Sequence, residues 1–317
     1  MAYQQGGLIT QGDFNNTLVG ANPSTTRGQL NAVWGIGYGD AGYGQSFTQS
    51  ASTGTNVTAT QWGTLMTTVN NMSKHQSGTS SPNPALITPV VQGNTISYMS
   101  ALQTALGTLY DNRLNYASQG STSQSSGYTF NPNSGSTSAA LDYYAVRTVT
   151  FSGGADAARY FFNAGGKLNF VTTSVTNNGG HGRAGDLTTL INCIGSINNY
   201  GAHSNGGRTG SGYSQTVNNT SIGYYNTGTT EQSIVYITSS NYPYSGDWAA
   251  VNVYSNGTQG SHGDAGSVIY FKMYVHMGEL VSDFGNKDFN VSWNHRIDVV
   301  YPESNFLGAS WGSVSVS

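Results

Sequence analysis

Apolar residues recur with two different periods along this chain. Over residues 1–120 they fall at helical spacing. Thr58-Ala59-Thr60-Gln61 reads as a capping box, with Thr58 as N-cap and Gln61 reaching back to it. The run behind it places Trp62, Leu65, Met66, Val69 and Met72 on one face and ends near Gly78. A second helix is predicted from Ser97 to Ala117, with Leu102, Ala105, Leu106 and Leu109 as its stripe. A shorter one begins at Thr10, where Asp13 follows three residues on and Phe14 and Leu18 form a small apolar face. None of the three is apolar all round, so each needs a surface to cover. Region 1–120 is therefore expected to be a helical part with a thin core of its own, built to dock.

Beyond residue 140 the period becomes two. Val146–Phe151, Leu168–Val175, Ser233–Thr238 and Ala249–Tyr254 read as strands, with a helical insert at Ala155–Phe162 and a helix at Asp186–Ile197. Tyr200–Gly228 reads as loop. Two later segments alternate without a break. In one, Ile269, Phe271, Met273, Val275 and Met277 oppose Tyr270, Lys272, Tyr274 and His276. In the other, Val291, Trp293, His295, Ile297 and Val299 oppose Asn290, Ser292, Asn294, Arg296 and Asp298. Such alternation marks antiparallel strands that cover a core on one face. The expected fold is mainly β with a helical N-terminal part. Residues 141–317 would form an antiparallel β-sandwich or jelly-roll-like domain, and 121–140 a Gly/Ser-rich linker or long loop.

Composition sharpens this picture. Only 8% of the 317 residues are charged, against about 25% in average globular proteins. Gly, Ser, Thr and Asn supply the polarity instead, which favours many short elements joined by turns. The 21 tyrosines and five tryptophans argue for a packed fold rather than disorder. The 11 basic residues are scattered and the net charge is −3, so no run exists to neutralise successive phosphates, and nucleic acid is not an expected partner. No apolar stretch reaches membrane-spanning length, and Met-Ala-Tyr-Gln-Gln-Gly-Gly lacks the marks of a signal peptide. Synthesis in a cytoplasm without membrane insertion is the expectation.

Motifs for chemistry are sparse. The three glutamates (Glu231, Glu279, Glu303) form no recognisable acid/base pair, and the six histidines show neither HExxH nor zinc spacing. His276 and His295 lie inside strands and read as packed or surface rings. Cys193, in an apolar run, reads as a small buried hydrophobe. Two Gly-Asp-Ala-Gly stretches, at 39–42 and 263–266, read as tight turns in which Asp bonds back to the backbone, since a calcium site needs more carboxylates. Ser261-His262-Gly263-Asp264 lacks the elbow of a hydrolase, and Gly35-Ile36-Gly37-Tyr38-Gly39 lacks the strand-turn-helix setting of a dinucleotide site. No catalytic, cofactor-binding or metal residue is assigned.

One stretch is distinctive: Val149-Thr150-Phe151-Ser152-Gly153-Gly154-Ala155-Asp156-Ala157-Ala158-Arg159-Tyr160-Phe161-Phe162-Asn163-Ala164-Gly165-Gly166-Lys167-Leu168. It resembles a segment of virion structural proteins of tailed phages, including cyanophages and other aquatic phages. Tyr43-Gly44-Gln45-Ser46, the Trp62–Met72 helix with His75-Gln76, and Trp311-Gly312-Ser313 fit the same pattern. The resemblance implies a non-enzymatic component of the virion. Its implied partners are copies of itself, as a trimer or hexamer, and other tail, neck or baseplate proteins. An alternative is a host-surface glycan module, with Tyr213, Tyr224 and Tyr225 of the loop stacking on sugars; a capsid decoration protein is another. A polysaccharide-degrading enzyme lacks a visible acid/base pair. Within the block, Ala155, Ala158, Tyr160, Phe161 and Phe162 can cover a sheet edge, and Arg159 is expected to be solvated, since surface ion pairs are weak.

Overall fold

The computed structural model describes residues 9–20, 26–80, 99–134, 140–179, 182–213, 216–257, 266–279 and 289–317. Its strands are β1 (Gln119–Gln124), β2 (Tyr128–Phe130), β3 (Asn133–Ser134), β4 (Leu141–Phe151), β5 (Lys167–Asn177), β6 (Ile197–Tyr200), β7 (Thr216–Asn218), β8 (Gln232–Thr238), β9 (Trp248–Ser255), β10 (Val268–Met277), β11 (Phe289–Pro302) and β12 (Val314–Val316). Its α-helices are α1 (Ala59–Ser77), α2 (Met99–Asp111), α3 (Ala157–Asn163) and α4 (Gly182–Ile194).

The strands form two antiparallel sheets. One runs β1-β11-β5-β6, with β2 and β3 also pairing to β11; the other runs β12-β4-β10-β9-β8-β7. The period-two reading of β10 holds residue by residue, and that of β11 holds except at Asp298, which is buried and paired with Arg296. Ile269, Phe271, Met273, Val275 and Met277 are buried, as are Val291, Trp293, His295, Ile297 and Val299. These inner faces meet: Phe170 on β5 stacks on Phe271 of β10 at 6.2 Å, and Tyr200 on β6 meets the same ring edge-on at 5.4 Å. The result is a β-sandwich, and each large apolar side chain in it contributes roughly 1.5–3 kcal/mol through burial. Helix α4 touches β5 and β11 of one sheet and β8 and β9 of the other. Its Arg183, fully buried, bonds to both carboxylate oxygens of buried Asp247 (3.0 and 2.6 Å) and to the Gly278 carbonyl (2.6 Å).

The helical part also follows its pattern, although the second helix, expected to run to Ala117, stops at Asp111. The Thr58 hydroxyl accepts from the Gln61 N–H, the Gln61 side chain accepts from the Thr58 N–H, and Gly78 closes α1 in the left-handed region. Trp62, Leu65, Met66, Val69 and Met72 are buried, as are Leu102, Leu106 and Leu109 of α2. Phe14 and Leu18 are buried in a π-helical turn, Asp13–Val19, whose Asn15 side chain holds the Ala51 backbone.

Three expectations change. Residues 119–134 are not a linker or long loop: β1, β2 and β3 all pair with β11. Every side chain of β1 is exposed, so backbone pairing alone makes it a strand, and its composition carries no alternation to reveal that. Residues 135–139 of the expected linker lie outside the described residues. The predicted helix at Asp186–Ile197 begins earlier and ends at Ile194, because Gly195 at φ +63° turns the chain into β6. The Tyr200–Gly228 loop contains β7 and a 3₁₀ turn at Tyr224–Asn226. One cluster of buried residues runs from Phe14 to Trp311, through the helices and both sheets.

Candidate binding face

Helix α3 is the meeting point of the segments that the sequence singled out. All seven of its residues are buried. Asn163 donates to the Asp40 and Gly42 carbonyls, both at 2.9 Å. Arg159 is fully buried, against the solvated position expected for it. The reason is local supply of acceptors: its guanidinium bonds to the Ile36 carbonyl (2.8 Å), the Ala41 carbonyl and the Asp156 carboxylate (3.0 Å). The 36–42 turn can approach so closely because Gly37, at φ +102°, has no Cβ; one would stand 1.9 Å from the Ala41 carbonyl oxygen.

The neighbouring contacts complete this junction. The Tyr43 hydroxyl donates to the Arg113 carbonyl (2.7 Å) and accepts from Gln76 Nε2 (2.9 Å). A Cβ on Gly44, at φ +68°, would sit 2.4 Å from the Tyr160 ring. The Gln45 amide exchanges two 2.8 Å bonds with the backbone of Gly308. Trp311 meets Phe161 edge-on at 5.9 Å, and Phe151 lies 5.0 Å from the same ring. His75 packs against Tyr43 at 5.3 Å, with its Nδ1 3.6 Å from Glu303 Oε2. Burial pushes the His75 imidazole below its ordinary range, against the pull of Glu303.

Other candidates are absorbed by packing. Cys193 is buried, and burial pushes its thiol up. His295 is buried against Phe170, their rings stacked at 5.2 Å, and burial lowers its pKa to about 4. Asp40, in the first Gly-Asp-Ala-Gly turn, pairs with Arg113 at 2.9 Å rather than bonding back to its own turn. The second such turn, with Ser261 and His262, lies outside the described residues except for Gly266. The three loop tyrosines do not form a platform. Tyr224 is buried and stacks on Phe162 at 4.9 Å, the Tyr225 hydroxyl bonds to the Asp40 carbonyl at 2.5 Å, and the Tyr213 hydroxyl donates to Asp186 at 2.7 Å. Among the described residues, no group of three His, Cys, Asp or Glu side chains could hold a metal ion, and no helix is long and apolar enough to cross a membrane.

The aromatic surface lies instead on the outer face of the second sheet. Cross-strand register brings it together: Tyr274 opposes Tyr144 and Ala250, Trp248 opposes His276, Tyr254 opposes Tyr270, and Tyr236 opposes Ala250. Trp248 is the hub, 5.2 Å from Tyr236, 6.0 Å from Tyr274 and stacked on His276 at 4.9 Å. Tyr144 extends the row 5.9 Å beyond Tyr274 and is 61% exposed. Four of the five tryptophans are buried, and Trp248 is the one at the surface.

Polar groups are set among these rings. Glu231 accepts from Lys272 (2.6 Å), the Tyr274 hydroxyl (2.8 Å) and Asn252 (3.2 Å), and Asn252 accepts from Ser233 at 2.8 Å. The Lys272 ammonium lies over the rings of Tyr144 and Tyr274, 4.3 and 4.5 Å from their centroids. Partial burial opposes both charges, but these bonds outweigh it: they hold the Glu231 carboxyl below its usual range and push Lys272 up to about 12. His276 and Asp142 form a second pair at 2.7 Å. The face therefore combines aromatic surface, fixed hydrogen-bonding groups and a Glu231–Lys272 pair closed on itself. Sequence reasoning saw Tyr270, Lys272, Tyr274 and His276 on one side of β10 but not the rings that join them from β4, β8 and β9. Comparisons with family models, curated proteins and solved structures give no match to this chain.

Proposed function

We propose that this chain is a non-enzymatic structural component of a tailed-phage virion, in the tail, baseplate, neck or fibre attachment, and that it works through protein–protein assembly. The observation that carries this reading is the convergence at α3. Tyr43-Gly44-Gln45, His75-Gln76, Phe151–Asn163 and Trp311 are among the residues that resemble phage virion proteins, and they meet in one junction. Residues shared for catalysis would line an open cleft. Tyr43, His75, Gln76, Phe151, Ala157–Asn163 and Trp311 are buried, and the group ties distant segments together, which is what a shared scaffold requires. A charge content of 8% also leaves few ions to desolvate when large surfaces pack together.

The test is peptide mass spectrometry and imaging of purified particles, with sedimentation of the free chain. The expected result is a fixed copy number per particle and a trimer or hexamer in solution. Absence from washed particles would overturn the reading. A second reading, recognition of host-surface glycans, is favoured by the Trp248 face, whose mixture of rings and hydrogen-bonding groups suits sugars.

A further inference from the structure

We infer that the outer face of strands β8, β9, β10 and β4 is a binding site for a neutral glycan, with Trp248 at its centre. The inference rests on the glycan-recognition reading and is independent of where in a particle the chain sits.

Three features of the face select this ligand. The first is its shape. Tyr236, Trp248, Tyr274 and Tyr144 stand on four adjacent strands. Three strand spacings give a row about 14 Å long, room for a short chain of sugar rings. The second feature is charge. Glu231 is closed by Lys272, and the Asp142 carboxylate is bonded to the His276 ring at 2.7 Å, so the Lys272 ammonium is already taken and is not left over for an anionic ligand. The third is the placement of polar groups. Glu231, Asn252 and the Tyr274 hydroxyl are already held by one another beside the rings, so they offer hydroxyl-binding positions at little further ordering cost.

A protein partner fits the same face less well. Dry burial of the face would strip water from the Glu231–Lys272 pair and from the Asp142 carboxylate, and the desolvation of each ion costs several kcal/mol. A sugar chain lies across the rings and trades hydrogen bonds at their edges while water remains around it. The apolar faces of pyranose rings then cover the parts of Trp248 and Tyr144 that His276 and Lys272 leave exposed.

The position of Trp248 supplies the assay. The full chain is titrated with cellohexaose, maltohexaose, chitohexaose and yeast mannan while tryptophan emission is followed, with heparin as a charged control. A saturable change is expected with at least one neutral probe and none with heparin. Tyr144→Ala should weaken binding roughly tenfold, the ratio at the upper end for one aromatic contact, with little change in Tm, because Tyr144 is largely exposed and touches only the outer face. Trp248→Ala should abolish the signal, and calorimetry should show that binding itself is lost. Asn294→Ala, on the outer face of the other sheet, should bind as the parent does. Failure of all four neutral probes would overturn the inference, as would unchanged calorimetric binding by both ring variants. So would a change of sedimentation by Tyr144→Ala or Trp248→Ala without any effect on sugar binding, which would make the face a protein interface. None of these outcomes bears on whether the chain is present in particles.

Discussion

Replacing Arg159 with Leu should unfold the helical part and the sandwich together. The side chain is fully buried and bonds to two backbone carbonyls, of Ile36 and Ala41, as well as to Asp156. Leucine fills part of the volume but offers no donor. Each hydrogen bond from a charged donor contributes about 1.5–3 kcal/mol, so two stranded carbonyls amount to roughly 3–6 kcal/mol. Asp156 adds less, because it retains some contact with water. Domains of this kind are stable by only about 5–15 kcal/mol, so the loss should be large in urea denaturation. Lys should rescue only part of it, since an ammonium cannot span the three acceptors as a planar guanidinium does. The parent should unfold in one transition when followed by far-ultraviolet circular dichroism and by tryptophan emission, and the variant likewise at lower urea. A loss under about 1 kcal/mol would refute the junction as the tie between the segments. Two separated transitions in the parent would refute it equally.

Acid should weaken the fold through His295. Its pKa in the fold is about 4 against about 6.5 unfolded, so the unfolded chain takes up the proton first. Stability is then complete above pH 6.5 and falls by roughly 3 kcal/mol as the pH drops to 4. His75 adds to the loss with the same sign, and a His295→Leu variant should show a shallower pH slope in denaturant melts. Trp293→Ala should cost about 3–5 kcal/mol, because the ring packs on Phe170 and Phe130 and donates to Thr172 at 3.0 Å. Asn294→Ala, on the opposite face, should cost about 1 kcal/mol or less, and equal losses would mean the register is wrong. Gly44→Ala should lower Tm by several degrees, since it combines a left-handed backbone with a clash on Tyr160.

What could be read in advance was whatever repeats locally. The capping box of α1 involves four consecutive residues, and the alternation of β10 and β11 needs only one strand at a time. Strand β1 was hidden because its Gln-Gly-Ser-Thr-Ser-Gln sequence has water on both sides, so no apolar half exists to show the period. The burial of Arg159 is not legible because its two carbonyl acceptors come from residues more than 110 positions away. The aromatic face is half legible for a similar reason: β10 displays its outer residues in order, but Trp248, Tyr236 and Tyr144 join them only through pairing between strands. The loop tyrosines were misjudged because a Gly- and Asn-rich sequence looks exposed, whereas Tyr224 is drawn in by Phe162.

The bonds between Gln45 and Gly308 have a consequence for how the chain is made. They join residues 263 positions apart, and strand β12 reaches the sheet only when it pairs with β4. A ribosome adds about 5–20 residues per second, so Gln45 emerges on the order of 10–50 s before its partner. During that interval the Trp34–Gln45 turn has no Gly308 to hold, and β4 lacks the neighbour that covers its edge. The nascent chain therefore completes this fold only after residue 316 is synthesised, and an interruption between β10 and β12 leaves one edge of β4 uncovered.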